Sequence, residues 1–197
     1  YENVTKKLSN ERAIPNFRFI SQYYNHPAFI ESWVDAAKKY KLSEYDVILF
    51  SYHGLPISQV NKVHGDMQCD DKDCEHKITP ENQFCYKATV YETSKLIAKS
   101  LKIPSDKYLI SFQSRLTNNW LEPFSDQVLK ELAKKGVKKV LVFSPSFTSD
   151  CLETIIEIGH EYKELFIKSG GLKLDYVESL NFSDSWVQAI INILKSK

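Results

Sequence analysis

The chain has 197 residues, of which 43% are hydrophobic and 26% charged, a balance typical of a folded globular domain. The formal net charge is +1, so bulk electrostatics give no support for a nucleic-acid partner. No apolar run approaches the roughly 18–20 residues that span a membrane, and the start shows no signal-peptide pattern. We expect a cytoplasmic protein, with peripheral contact at a membrane left open. Because Tyr1 stands where an initiator Met would be, we also expect a fragment or a processed chain.

Apolar runs alternate with amphipathic stretches, which is the pattern of a parallel α/β sheet. The residues 1–197 are therefore predicted to form one α/β domain, a four-stranded parallel sheet with helices wound on both faces. Turn and cap residues such as Pro27, Thr79 and Gly136 fix several helix ends. In chain order the predicted elements are a strand or lead-in at Arg18–Gln22, a helix at His26–Lys39, a strand at Val47–Tyr52, a helix at Pro80–Ser100, a strand at Tyr108–Gln113, a helix at Phe124–Lys135, a strand at Val140–Ser144, a helix at Asp150–Ser169, a strand at Leu172–Val177 and a last helix starting at Asn181 or Ser183.

His53 is the first candidate for chemistry, because it follows a predicted buried strand and precedes Gly54 and Pro56, which force a turn. Open α/β sheets place their binding sites at the carboxyl ends of the strands. A free imidazole there can accept a proton or bind a borderline metal near physiological pH. The alternative is a strand-end histidine that hydrogen-bonds to the backbone, and position alone does not separate the two.

Acidic residues at helical spacing are the second candidate. They follow the predicted strand Val140–Ser144 and share one helix face: Asp150, Glu153, Glu157, Glu161 and Glu164. Such a line of carboxylates could guide a cation or protons into a cleft. The structural alternative is a capping box, with Asp150 as the N-cap and Glu153 as its partner, followed by a solvated face.

Arg115 and Trp120 follow the predicted strand Tyr108–Gln113 and form the third candidate. A guanidinium group can hold a carboxylate through two hydrogen bonds, and an indole ring can pack on a flat apolar ligand. The alternatives are a surface salt bridge and a packing contact at the start of a helix. The sequence has no Gly-rich phosphate motif, so ATP or NAD chemistry has little support.

Three cysteines crowd into one polar segment: Cys69, Cys74 and Cys85. In a chain without a signal peptide this pattern indicates metal ligation rather than disulfides. The thiolates would suit zinc or an iron–sulfur cluster. His76 or Cys151 could supply a fourth ligand, and three unligated thiols are the alternative.

Four segments, in order, resemble ferrochelatases. Ser51-Tyr52-His53-Gly54-Leu55-Pro56 is similar to the catalytic histidine loop of that family. Its second signature resembles Phe112-Gln113-Ser114-Arg115 with Trp120-Leu121, and its carboxylate helix resembles the stretch from Ser149 to Tyr162. The stretch from Arg18 to Glu31 resembles the entry to the second half of the family's chain.

The resemblance implies an ATP-independent enzyme, a lyase-type metal chelatase, that inserts Fe²⁺ into protoporphyrin IX in the last step of haem biosynthesis. The porphyrin would lie in a cleft between two α/β domains. His53 and Glu153 would be catalytic and would contact the metal ion, which Glu157 and Glu161 would also bind. Tyr52, Arg115 and Trp120 would bind the porphyrin.

The resemblance also implies that Cys69, Cys74 and Cys85 belong to an internal-cysteine subgroup that binds a 2Fe–2S cluster, although that subgroup uses four cysteines there. Cys151 is not counted as a ligand, because cluster-free members also have cysteine at that position. The N-terminal half of the family is absent from this sequence, so we expect the chain alone to be inactive. The alternatives are a chelatase for coproporphyrin or cobalt, and a non-catalytic iron–sulfur or zinc module.

Overall fold

The computed structural model describes residues 2–13, 16–65 and 67–196. Its four strands form one parallel sheet in the order β2-β1-β3-β4. The strands are β1 (Val47–His53), β2 (Tyr108–Gln113), β3 (Lys139–Phe143) and β4 (Lys173–Tyr176). The α/β fold and the four predicted strands are confirmed, each end within one residue of the prediction. Arg18–Gln22 is a lead-in and not a strand.

The helices lie between the strands and at the two ends of the chain. They are α1 (Glu2–Leu8), α2 (Pro27–Ala37), α3 (Ile57–Val60), α4 (Tyr86–Ser100), α5 (Ser125–Lys134), a π-helix (Glu153–Tyr162) that runs into α6 (Lys163–Lys168), and α7 (Asp184–Lys195). Of the helices in the described ranges, none combines the length and the apolar character that crossing a bilayer needs.

Helix α4 begins later than the sequence predicts. It starts at Tyr86 and not at Pro80, and Thr79 is not its N-cap. The reason is Asn82, a fully buried residue whose side chain hydrogen-bonds the local backbone. It accepts from the Thr79 N–H at 2.7 Å and donates to the Lys77 carbonyl at 3.0 Å. Such side-chain bonds compete with helix formation, so residues 79–85 form turns instead.

Side chains of the strands alternate between two helical layers, as the pleat of a strand requires. Ile48 and Phe50 on β1 belong to the core with α2, α4 and α7. Leu49 on the same strand packs with α5, the π-helix and α6. The sheet is therefore wound on both faces, as predicted.

The order of the strands creates a crevice between β1 and β3. These two strands are paired neighbours, but the chain leaves them toward opposite layers. After β1 it continues to α4 in one layer, and after β3 it continues to the π-helix in the other. In open α/β sheets, ligands bind at this kind of crevice at the carboxyl ends of the strands.

Two leucines, one buried on β1 and one exposed beside β4, allow a direct test of the core. The Leu49 side chain is 0% exposed, whereas that of Leu172 is 67% exposed. We expect Leu49→Ala to lower the free energy of unfolding by about 2–5 kcal/mol, because it removes buried methyl groups and leaves a cavity. The matched Leu172→Ala should change it by less than about 0.5 kcal/mol. Urea unfolding measures both, and equal losses would contradict this core.

Candidate active site

A cleft of about 490 Å³ lies at the carboxyl end of the sheet, beside the π-helix. Six residues that the sequence predicts as site residues line it: His53, Arg115, Trp120, Glu153, Glu157 and Glu161. Three apolar residues on its walls, Leu116, Leu152 and Ile156, are exposed to between 43% and 83%. The cleft therefore combines a histidine, carboxylates and an arginine with an unusually apolar rim.

His53 is the last residue of β1, and its ring orientation is set by its own turn. Nδ1 lies 2.6 Å from the carbonyl oxygen of Gly54. Because a carbonyl only accepts hydrogen bonds, Nδ1 carries the proton and the lone pair of Nε2 is left for a proton or a metal ion. The imidazole ring lies between Trp120 and Phe147, with ring centroids 6.2 and 6.0 Å away.

Gly54 allows the two loops of the cleft to approach each other. A Cβ atom at this position would lie 3.0 Å from the carbonyl oxygen of Gln113 and 3.2 Å from the Trp120 ring. Backbone bonds hold the approach: Gly54 N donates to Gln113 O at 2.8 Å, and Leu121 N donates to Leu55 O at 2.9 Å. A larger residue would push Trp120 away from the histidine turn.

Glu157 is held by four hydrogen bonds within the protein. Its carboxylate accepts from the Ser114 backbone N at 2.8 Å and the Ser114 hydroxyl at 2.5 Å. It also accepts from Gln113 Nε2 at 3.2 Å and the Tyr162 hydroxyl at 2.7 Å. Burial and this bond to Glu157 raise the pKa of Tyr162 far above its usual range. Glu157 therefore anchors the π-helix to the end of β2.

Ser114 has a φ of +60°, the left-handed region that non-glycine residues seldom adopt. A backbone held there costs about 1–3 kcal/mol and persists where the surroundings enforce it. Both the N–H and the hydroxyl of Ser114 bind Glu157. These two bonds offset the strain and direct the chain from β2 toward Arg115.

A chain of buried polar side chains joins the sheet to the start of the π-helix. Gln113 is 1% exposed, accepts from the Ser51 hydroxyl at 2.8 Å and donates to the Glu153 carbonyl at 3.0 Å. The Ser125 hydroxyl lies 2.8 Å from those of both Ser51 and Ser111. Buried polar groups that are satisfied in this way fix one arrangement of the elements they connect.

Glu153, Glu157 and Glu161 form a line of carboxylates along the cleft, and Glu153 and Glu161 are its two ends. A hydrogen bond from the Cys151 thiol lowers the pKa of Glu153, and its own backbone N–H and attraction to His53 lower it further. Glu153 is therefore ionised at neutral pH. Glu161, two turns along the π-helix, is exposed. The line runs from the histidine toward solvent.

Arg115 lines the cleft with one unused donor. Its guanidinium lies 3.8 Å from the centroid of the Phe124 ring, and Nη2 lies 3.4 Å from Asp126 Oδ2. Nη1 is buried and has no hydrogen-bond partner. Because the Arg115 side chain lines the cleft and has a donor to spare, its guanidinium is a candidate contact for a ligand acceptor.

Tyr52 does not join the cleft. It is 2% exposed, and its hydroxyl lies 2.9 Å from that of Ser94 on α4. Successive strand residues point to opposite faces of a sheet, so Tyr52 faces away from His53. It lines a separate cavity of about 220 Å³ beside Tyr24 and Tyr86. The structure therefore places Tyr52 outside the cleft of His53, and substrate binding by Tyr52 stays a prediction.

Asp150 does not cap the helix, so the capping-box alternative is wrong. The N-cap of the π-helix is Leu152. The Asp150 carboxylate instead accepts from Asn181 Nδ2 at 2.8 Å and Ser179 N at 3.3 Å. Partial burial raises its pKa, but these bonds outweigh burial and lower the pKa overall. Asp150 thus ties the loop after β3 to the loop after β4.

The three clustered cysteines gather around a histidine that the sequence analysis missed. His64, Cys69, Cys74 and Cys85 have ligand atoms that all lie within 4.8 Å of one another. His76, a predicted fourth ligand, is exposed and lies 2.6 Å from Asp73 Oδ1 instead. Cys151 lies beside the π-helix and is not part of the group. The available signal was the position of His64, five residues before Cys69.

Comparisons with known proteins show which family the chain belongs to. The sequence model of the family Ferrochelatase matches residues 1–197. This chain belongs to the ferrochelatase family.

Curated ferrochelatases are similar along nearly the whole chain. The ferrochelatase of Pseudomonas putida strain KT2440 is 39% identical over 196 residues, which cover 95% of this chain and 57% of the relative. That of Legionella pneumophila strain Corby is 36% identical over 200 residues, covering 100% of this chain and 59% of the relative. The chain thus spans a little under three fifths of the length of these ferrochelatases.

The exposed Glu161 provides a matched control for the anchoring role of Glu157. In Glu157→Gln, an amide NH₂ would face the donors of Ser114 and Gln113. We expect a loss of about 1–3 kcal/mol in the free energy of unfolding, because buried partners lose their acceptor. Glu161→Gln should change it by less than about 0.5 kcal/mol. Urea unfolding of both variants is the measurement, and an equally stable Glu157→Gln would refute the anchor.

Proposed function

We propose that this chain forms one wall of a ferrochelatase active site, where Fe²⁺ enters protoporphyrin IX in the last step of haem biosynthesis. The observation that carries the proposal is the pairing of His53 and Glu153 in one cleft. In the neutral imidazole of His53, the bond from Nδ1 to Gly54 leaves the lone pair of Nε2 available. Glu153 has a lowered pKa and contributes a negative charge beside it.

These two groups match what metal insertion requires. Two pyrrole N–H protons must leave the macrocycle, and Fe²⁺ must exchange its own ligands for pyrrole nitrogens. Nε2 of His53 would accept a proton or contact the incoming iron, since imidazole is a good ligand for Fe²⁺. The charge of Glu153 would stabilise the cation beside the ring and the protonated imidazole after transfer.

The carboxylate line gives the iron or the protons a route. Glu153, Glu157 and Glu161 all face the cleft. Among the described residues they do not form a close-packed ligand group comparable to that of the cysteines. Spaced carboxylates would pass an ion along rather than retain it. Glu157 would act chiefly by position, because its oxygens already accept four hydrogen bonds.

The remaining walls suit a flat apolar ring that carries carboxylates. Trp120, Leu116 and Leu152 present apolar surface, and the last two are 83% and 75% exposed. Large exposed apolar groups around a cleft commonly mark a binding surface. The guanidinium of Arg115, which lines the cleft, would bind a propionate of the porphyrin.

The cleft of this chain is one wall of the complete site. The curated ferrochelatases are longer than the matched region, and we propose that their remaining part supplies the opposite wall. The chain by itself would then be inactive. Activity with coproporphyrin or with cobalt is the competing possibility, and assays with each porphyrin and metal decide it.

Two further predictions from the resemblance belong with this function. A cytoplasmic location, with or without contact at a membrane, stays a prediction. A 2Fe–2S cluster at the cysteines also stays a prediction of the family resemblance. Three buried thiols and His64, with ligand atoms within 4.8 Å of one another, support a metal site there, but their spacing favours a single ion.

Replacing His53 tests the reaction directly. In the full-length protein we expect His53→Ala to lower the rate of Fe²⁺ insertion about 10²–10⁴-fold, the range for loss of a general acid–base group. The matched control is His160→Ala, because His160 is exposed and its Nδ1 lies 3.8 Å from Glu164. Its rate should stay within about twofold of the wild type. Near-normal turnover of His53→Ala would refute the proposal.

Replacing Arg115 tests whether its guanidinium binds a carboxylate of the porphyrin. We expect Arg115→Ala to raise KM for protoporphyrin about 10–100-fold, since a charged hydrogen bond contributes about 1.5–3 kcal/mol, and to change kcat much less. With a porphyrin whose propionates are esterified, the same substitution should leave KM nearly unchanged. An equal loss with both porphyrins would show that Arg115 does not bind the carboxylate.

A further inference from the structure

Four metal-ligating side chains meet in the segment between β1 and α4. The Sγ atoms of Cys69 and Cys85 are 3.4 Å apart, and Cys74 Sγ lies 3.8 Å from His64 Nε2. The three cysteines are each no more than 4% exposed. None of the four lines the cleft of His53. The group therefore needs an explanation separate from iron insertion.

The separations fit four ligands around one ion. With Zn–S bonds of about 2.3 Å and Zn–N bonds of about 2.0–2.1 Å, a tetrahedron places two sulfurs about 3.8 Å apart and a sulfur and a nitrogen about 3.6 Å apart. The observed distances are 3.4 Å for a sulfur pair and 3.8 Å for a sulfur–nitrogen pair. All four ligand atoms also lie within 4.8 Å of one another.

The same separations are too short for a two-iron cluster. Such a cluster divides its four protein ligands between two iron atoms. Ligands bound to different irons must then lie farther apart than ligands of a single ion, because the iron–iron distance adds to their separation. A group whose members all lie within 4.8 Å leaves no space for two metal ions. Three cysteines with one histidine are also an established set for structural zinc.

His64 supplies an independent observation. Its Nε2 faces the thiols, with Cys74 Sγ at 3.8 Å, whereas its Nδ1 is buried and has no hydrogen-bond partner. The half-buried ring therefore meets its polar neighbours, the thiols, through Nε2. Coordination of an ion through Nε2 would give its lone pair a stronger partner than this long contact with a thiol.

The geometry points to a mononuclear zinc site formed by His64, Cys69, Cys74 and Cys85, in place of a 2Fe–2S cluster. Its role is structural. Apart from α3 and a single bridge from Pro56 to Trp120, the described residues from Gly54 to Cys85 form turns, short 3₁₀ segments and irregular chain. A zinc ion bound in such a segment contributes folding energy directly. Because Cys85 immediately precedes α4, the ion ties the loop after β1 to that helix.

The zinc site also supports one wall of the cleft. Trp120 lines the His53 cleft and also a neighbouring cavity of about 520 Å³ whose other wall includes Cys69. Ile57 N, at the start of the segment, donates to Asn119 O at 3.0 Å. Loss of the ion should loosen the loop that holds Trp120, and removal of zinc should therefore lower the melting temperature of the protein.

Metal analysis of the purified full-length protein is the first test. Elemental analysis should find about one zinc per chain, with no acid-labile sulfide and no visible absorption from a cluster. Two irons with two sulfides per chain would overturn the proposal, and so would protein that remains metal-free after refolding with Zn²⁺. Because this readout does not use activity, its result is distinct from that of the His53 experiment.

Variants at the histidine test its place in the set. His64→Ala should reduce bound zinc at least about tenfold, whereas His64→Cys, which offers a fourth thiolate, should keep about one zinc per chain. The control is His76→Ala, in the same segment but outside the group, and it should keep wild-type zinc. Zinc retained in His64→Ala would refute ligation by His64.

A spectroscopic measurement covers the case in which His64→Ala fails to fold. The wild-type protein is stripped with a chelator and loaded with Co²⁺, which reports its coordination by visible absorption. Strong bands of a tetrahedral thiolate site would support the proposal. Weak bands of six-coordinate Co²⁺ would overturn it.

Discussion

The buried amide of Gln113 is the constraint on which the geometry of the cleft depends. A primary amide that is 1% exposed must satisfy its donors and its acceptor inside the protein. Gln113 accepts from Ser51 on β1 and donates to the Glu153 carbonyl and the Glu157 carboxylate. His53 is its register partner across the β1–β2 pair. The bonds of one amide therefore set how far the histidine lies from the carboxylates of the π-helix.

The two groups of side chains that we propose as metal ligands differ in spacing, and the difference matches their proposed tasks. In the cleft, carboxylates are spread along a π-helix beside a histidine whose Nε2 is free. Under the proposed function a substrate ion would enter and leave this cleft, and weak, spaced ligands suit that task. In the segment before α4, four ligands are packed within 4.8 Å, which suits an ion that stays bound. Trp120 lies between the two sites and contacts both cavities.

The sequence predicted the sheet well because buried parallel strands are continuous apolar runs bounded by turn residues. The same pattern predicted that His53 and Arg115 would lie together beyond the strand ends, where both line the cleft. The errors occurred where a polar side chain bonds to nearby backbone or to a residue of another loop. Asn82 delays the start of α4, and Asp150 bonds across to Asn181 instead of capping. His64 was missed because turns, rather than a motif, bring it to the cysteines.

A crystal structure of the full-length protein with a metal-free porphyrin bound would test whether Nε2 of His53 faces the reacting ring. We expect the macrocycle to lie against Trp120, with its centre facing His53 Nε2 and one propionate on the guanidinium of Arg115. A porphyrin seated away from this cleft, for example in the cavity lined by Tyr24 and Tyr52, would contradict it.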